Sequence, residues 1–305
     1  MFKQYLRVQS LGFQFTIFLT IWVAFSLIFT ALQPIILNNA GLKSTDLQGL
    51  YENPDLLILI NALGTLFLFL IPAVLFAYLA DPKPIPYLGL QKPLSTRQWI
   101  WVVILAIGLI PTITTIGGWI KELDLGDAAK ELNKEREEIF NTYLATAKPL
   151  SMLKNLFFLA LLPAVSEELF FRGVIQKFAY SQTKKPFLAI FISGLVFALM
   201  HFSIYEFIPI LIAGMVLAWV YYITGSIWMS ILLHFLNNGL QVILVFWATQ
   251  NPALEGLDQN TIFIIVVSTT GFLVCIFSIL KLNKLKTPLP INWDVRETME
   301  INKAQ

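Results

Sequence analysis

Six side chains in the second half of the chain carry groups suited to acid–base chemistry: Glu167, Glu168, Arg172, His201, His234 and Asn238. Both histidines of the chain are among them, and both fall in or at the edge of apolar runs. Residues four apart on a helix are stacked neighbours. Glu168 and Arg172 are so spaced and can form an ion pair, which leaves Glu167 turned about 100° away around the same helix. Phe197 and His201 share one face of a second helix, His234 and Asn238 one face of a third. A carboxylate in an apolar surround holds a proton tightly enough to take one from water near neutral pH. A histidine beside it can orient that water, and a second histidine with an asparagine amide can donate to a developing oxyanion. These are the parts of a direct hydrolysis of an amide. A covalent route has no motif to carry it, because GxSxG is absent and the single cysteine, Cys275, has no histidine near it in sequence.

Groups of this kind matter because of the elements that must hold them. Hydrophobic residues make up 57% of the 305 and charged residues 13%, and the mean hydropathy is +0.71. Such a chain lacks the polar surface of a water-facing body. A bilayer needs about 20 apolar residues per spanning helix, and eight candidate spans can be drawn, over 13–35, 56–80, 99–119, 153–178, 186–203, 206–223, 226–248 and 261–281. The fold class is therefore all-α, a polytopic transmembrane helix bundle of about eight spans. A charge at the centre of a spanning helix costs roughly 2.5–3.5 kcal/mol on insertion scales, so Glu167, Glu168, Arg172 and the histidines are functional candidates. The lipid bilayer is the first expected partner. A net charge of +2 gives no reason to expect nucleic acid. Cys275 allows neither an internal disulfide nor a cysteine metal site.

Basic residues cluster in alternate loops: Lys3 and Arg7; Lys83, Lys92 and Arg97; Lys177, Lys184 and Lys185; Lys281, Lys284 and Lys286. The other loops are poor in them, with Lys43 among Asp46, Glu52 and Asp55, and only Glu255 and Asp258 in 249–260. The positive-inside rule then puts both termini in the cytoplasm and requires an even number of spans. The first apolar run is too long for a signal-peptide core and is read as a retained helix. Segment 120–149 repeats Leu125, Ala128, Ala129, Leu132, Ile139, Phe140 and Tyr143 at helical spacing. It reads as an amphipathic connector helix at the outer surface, either a solvated link or a lid over a substrate entrance. The run Asp81–Pro86 is a stiff loop, and the tail 287–305 is polar.

The motifs resemble one known family. Residues 167–172 fit EExxxR, 197–201 fit FxxxH and 234–238 fit HxxxN, in order and on hydrophobic helices. This pattern is similar to the CAAX prenyl protease and bacteriocin-processing (CPBP, or Abi) family, which includes the type II CAAX prenyl endopeptidases. The resemblance spans about 150–248. It implies a catalytic core there, flanked by spans and connector in 1–149 and by a last span and tail in 249–305. It implies Glu167 as general base, His201 positioning water, His234 and Asn238 as oxyanion hole, and Glu168 with Arg172 shaping the helix. The substrate would be a peptide or protein, possibly lipidated, and the setting a plasma membrane, bacterial by the same likeness.

Three other readings compete. No cofactor is required by the glutamate mechanism, yet zinc is possible, with His201, His234 and Glu167 as ligands and the fourth position open. No HExxH is present to favour it. The chain could instead be a non-proteolytic immunity or scaffolding protein. A transporter is a weaker fit, because no inverted repeat is evident. One feature strains a straight, upright bundle. His201 lies about 22 Å into the fifth span from its basic end, whereas His234 is only about 8 residues into the seventh. Tilted helices, or a fifth span that starts later, would reconcile them.

Overall fold

The computed structural model describes residues 6, 8–43, 46–90, 95–144, 148–251 and 261–287. Among these the chain is helical without strands, as an all-α bundle requires. The main elements are α1 (Leu11–Asn39), α2 (Pro54–Ala80), α3 (Thr96–Lys121), α4 (Asp127–Leu144), α5 (Pro149–Thr183), α6 (Pro186–Leu199), α7 (Phe207–Thr224), α8 (Ile227–Gln250) and α9 (Thr261–Lys284). Seven of them are long and apolar enough to cross a bilayer, and the chain is an integral, multi-pass membrane protein. The expected positions Lys3, Arg7, Lys92, Glu255 and Asp258, the side chain of Tyr143 and the tail after 287 lie outside the described residues.

The expectation of eight full spans needs one correction. The fifth, drawn over 186–203, is a helix of only 14 residues that stops at Leu199. Its rise is about 21 Å, short of the roughly 30 Å of hydrocarbon. The stop has a local cause. The His201 N–H bonds back to the Ala198 carbonyl at 3.2 Å, tightening the last turn, and Phe202 takes a left-handed φ of 49°. The Ser203 hydroxyl then accepts from the Glu206 N–H at 3.2 Å, starting the reversal into α7.

The two ends of the bundle differ in how their basic residues are partnered. At one end Trp228 donates to the Leu90 carbonyl (2.8 Å), Gln98 to the Leu285 carbonyl (3.0 Å), and Lys286 to the Tyr222 hydroxyl (3.3 Å). Lys177 reaches the Tyr87 carbonyl there, and the Lys281 ammonium lies 5.7 Å from the Trp101 ring. At the opposite end Lys121 pairs with Glu137 at 2.8 Å and Glu206 at 3.5 Å, and Lys154 pairs with Asp55. Counting short α6 with its polar turn, the chain passes between these ends eight times, so the described basic loops meet as their alternation predicts.

Helix boundaries follow ordinary rules. Asn53 caps α2 by accepting from Leu56 N–H at 3.2 Å, with Pro54 in the first helical position. Gly225, at φ +61°, ends α7 and allows a two-residue connection to α8. Three π-helical segments interrupt the long helices, at Leu66–Leu70, Leu156–Leu161 and Phe171–Ile175. The first two lie immediately before Pro72 and Pro163, whose rings exclude the carbonyl four residues back and whose nitrogens cannot donate. The third contains Arg172, and no proline accounts for it.

Two apolar cores hold the bundle. Phe18, Phe76, Phe170 and Phe178 interlock α1, α2 and α5, with ring centroids 5.2 Å apart for Phe18–Phe76 and 5.1 Å for Phe18–Phe170. Val102, Leu105, Leu217, Val220 and Leu233 join α3, α7 and α8. Within lipid such contacts act through close packing, and small residues permit it. Where α6 crosses α7, a Cβ on Gly194 would lie 2.9 Å from the Met215 backbone nitrogen, and one on Gly214 3.1 Å from the Gly194 Cα. Gly194→Val is therefore expected to destabilise the protein by about 1–3 kcal/mol through overpacking. A thermal unfolding midpoint in detergent equal to that of the parent protein contradicts this crossing.

Candidate functional site

The site is built on α5. The helix carries Glu168, Arg172 and Gln176 along one stripe, and all three are fully buried. Glu168 and Arg172 pair at 2.7 Å, as their spacing predicts. The stripe also fastens neighbouring helices. Arg172 Nη2 donates to the Gly214 carbonyl at 2.8 Å, and one turn on Gln176 Nε2 donates to the Ala218 carbonyl at 2.9 Å, so α5 is bonded in register to α7. Glu168 Oε2 accepts from the Ser230 hydroxyl at 2.5 Å, and Oε1 bonds His234 Nδ1 at 2.9 Å, so α8 is bonded too. These bonds across α5, α7 and α8 are how buried charge is tolerated in this layer.

These bonds fix proton positions. A carboxylate paired with arginine can only accept, so His234 Nδ1 donates to Glu168 and, in the neutral ring, Nε2 carries the lone pair. That Nε2 faces Glu167 Oε2 at 3.9 Å. His201 Nδ1 lies 2.7 Å from the Phe197 carbonyl, which also can only accept, so its Nε2 is likewise the open nitrogen. The two imidazoles meet the same ring, with Phe197 centred 4.6 Å from His201 and 5.7 Å from His234. The Arg172 guanidinium sits 4.8 Å from that ring centre. Phe197 thus spans the offset in depth that separates the histidines along their helices. In the sequence an aromatic residue in an apolar helix carries no sign of these partners.

Glu167 is the exception in this network. Its residue is 9% exposed, and Oε2 is buried with no hydrogen-bond partner among the described residues. It lines a cavity of about 590 Å³, within the range of ligand-binding clefts. Glu167, His201 and Asn238 share that wall. The Asn238 carbonyl accepts from Asn237 Nδ2 at 3.2 Å, leaving the Asn238 amide hydrogens available to the cavity. Glu168, Arg172 and His234 lie one layer behind it. All six expected residues therefore gather around Glu167, in two layers.

The cavity also has walls that the three motifs do not contain. Gln33 from α1, Asn61 and Thr65 from α2, and Gln241 from α8 supply polar groups, while Phe29, Leu57, Leu68 and Leu159 supply apolar ones. The signal for Gln33 and Asn61 is a lone amide inside a long apolar run. From α4, Phe140 lines the cavity, and Arg136 Nη1 donates to the His201 carbonyl at 2.7 Å. The connector helix thus touches the site, in the manner of the lid reading. Partial burial pulls the Arg136 guanidinium below its usual range, and the Lys121 ammonium holds the Glu137 carboxyl below the usual carboxylate range.

The zinc alternative can be set against this geometry. Among the described residues no group of three or more His, Cys, Asp or Glu side chains is arranged to hold a metal ion.

Comparison with known families adds an independent observation. Residues 149–240 match the family model described as type II CAAX prenyl endopeptidase Rce1-like. The match covers under a third of the chain and includes all six expected residues. No curated protein and no solved structure matches.

Proposed function

We propose, from the premise that segment 149–240 belongs to the Rce1-like family of type II CAAX prenyl endopeptidases, that this membrane protein is an intramembrane endopeptidase acting on carboxy-terminal peptides. The observation that carries the reading is Glu167: its carboxylate lines a cavity that also presents a histidine and an asparagine amide, and its buried Oε2 has no hydrogen-bond partner among the described residues. A carboxylate so situated accepts from whatever donor enters, and water is the donor that hydrolysis needs.

The steps follow from the groups present. Water enters the cavity and donates to Glu167, with His201 Nε2 accepting its second hydrogen and fixing its orientation. Its oxygen attacks the peptide carbonyl as Glu167 removes the proton, forming a carbon–oxygen bond and a tetrahedral oxyanion. The Asn238 amide donates to that oxyanion. Because Nε2 of His234 and Oε2 of Glu167 are 3.9 Å apart, one oxygen atom can hydrogen-bond both at ordinary distances of about 2.7–3.2 Å. His234 becomes the second oxyanion donor when Nε2 carries a proton. Glu167 then returns its proton to the departing amide nitrogen, the carbon–nitrogen bond breaks, and the carboxylic acid so formed gives its proton to the amine, leaving a carboxylate and an ammonium. Glu168 and Arg172 position His234 and α5 and take no proton. In this reading the basic end of the bundle, and with it both termini, faces the cytoplasm.

Incubating the purified protein with an S-farnesylated peptide ending in cysteine and three further residues tests this. Mass spectrometry is expected to find the released tripeptide unlabelled and one oxygen-18 atom from labelled water in the new carboxylate of the farnesylcysteine product, before and after treatment with a chelator. Absence of the tripeptide sinks the reading, and loss of cleavage on chelation sinks its metal-free form.

A further inference from the structure

Two amide side chains in the cavity have no place in the mechanism above. Gln33 sits on α1 and Asn61 on α2, both outside the segment 149–240, and both line the same cavity as Glu167 and His201. Neither has a hydrogen-bond partner among the described residues. Inside a spanning helix an unpaired amide is expensive, and the usual remedy is a partner on a neighbouring helix. Gln241, on the opposite wall, has such a partner in the Asn237 carbonyl at 3.0 Å. Gln33 and Asn61 instead line the cavity that Glu167 lines.

The chemistry of an amide selects its ligand. It offers a carbonyl acceptor and an N–H donor together and no charge. A carboxylate or phosphate would call for cations, and among the described residues Glu167 and His201 are the only titratable side chains on the cavity wall. An alkyl chain would call for neither group, and the wall already supplies Phe29, Leu57 and Leu68 for apolar surface. A peptide main chain offers a complementary N–H and carbonyl at each residue, and in extended form these recur along one edge at every second residue.

We infer that Gln33 and Asn61 grip the main chain of an extended peptide laid across the cavity, and so register its scissile bond against Glu167. The N-terminal helices then hold the substrate while α5, α6 and α8 cut it. The inference rests on the peptidase reading in taking the ligand to be a peptide.

Binding can be measured without cleavage by placing Glu167→Gln in the chain and titrating a fluorescent form of the farnesylated peptide, followed by anisotropy. Adding Gln33→Leu or Asn61→Leu is expected to weaken the dissociation constant about three- to ten-fold each, and the pair together by about the product. Methylating one main-chain nitrogen of the probe within the gripped stretch is expected to weaken binding to the parent and leave binding to the double leucine variant unchanged. Leucine suits a spanning helix better than an amide, so the variants should unfold at or above the parent's temperature. Any that does not is replaced by Gln33→Ala or Asn61→Ala. Unchanged affinity in the leucine variants, or no saturable binding to any form, overturns the inference. Cleavage by the unsubstituted protein with the same KM in the leucine variants also overturns it and keeps the peptidase reading. Amide-dependent binding with no cleavage keeps the grip and overturns the peptidase reading.

Discussion

Glu167→Gln is expected to lower the rate of peptide hydrolysis by about 10²–10⁴-fold, the usual contribution of a positioned general base. Glutamine keeps the length and hydrogen-bonding reach of the side chain but cannot take a proton. The fold should survive, because Oε2 of Glu167 is bonded to nothing among the described residues and Glu168, not Glu167, holds the ion pair with Arg172. The unfolding temperature should equal or exceed that of the parent, since a buried carboxylate is replaced by a neutral amide. The kinetic loss should fall on kcat, with KM little changed. Retention of full activity by both this variant and His201→Ala would remove the hydrolase mechanism altogether.

Arg172→Ala is expected to act the other way, on stability first. The guanidinium is fully buried and holds Glu168 at 2.7 Å and the Gly214 carbonyl at 2.8 Å. Removing it strands a fully buried carboxylate with only Ser230 and His234 as partners, a change worth about 3–5 kcal/mol. Much of that is the stranded charge, not the lost contact. Pairing Glu168→Gln with Arg172→Met should therefore recover about half of the loss, because the residual layer is neutral and still packed. Unfolding by titration with denaturing detergent measures each variant. If Arg172→Ala unfolds like the parent, the pair is not what secures α5 to α7 and α8. Activity should fall in both variants, since His234 is held by Glu168.

The two variants also separate what sequence could and could not reveal. Charged and imidazole side chains stand out in apolar helices because the bilayer penalises them, so five of the six residues could be picked out before any coordinates, and Asn238 by its place four residues after His234. The spacing of Glu168 and Arg172 fixed their pairing, because both lie on one helix. The pairing of His234 with Glu168, and the two-layer order that puts Asn238 on the cavity wall and His234 behind it, depends on how α5 and α8 pack. No intrahelical period carries that. The end of α6 was hidden for a related reason: Met200, Phe202 and Ile204 continue the apolar run past the turn, while backbone bonds and the Ser203 cap make the stop. Arg136 was illegible as well, because its acceptor is a main-chain carbonyl, which every residue has. Gln33 and Asn61 were visible but faint, one amide each in runs long enough to absorb it.

The brevity of α6 has a consequence for the lipid around it. Beside a helix of 14 residues the acyl chains cannot keep their full depth, and mismatch of this size is relieved by thinning the leaflet or drawing headgroups inward. The turn bearing His201 then sits beneath a dimple, not at the level of the surrounding membrane surface. A thinner leaflet there shortens the path from bulk water to the cavity that His201 and Glu167 line.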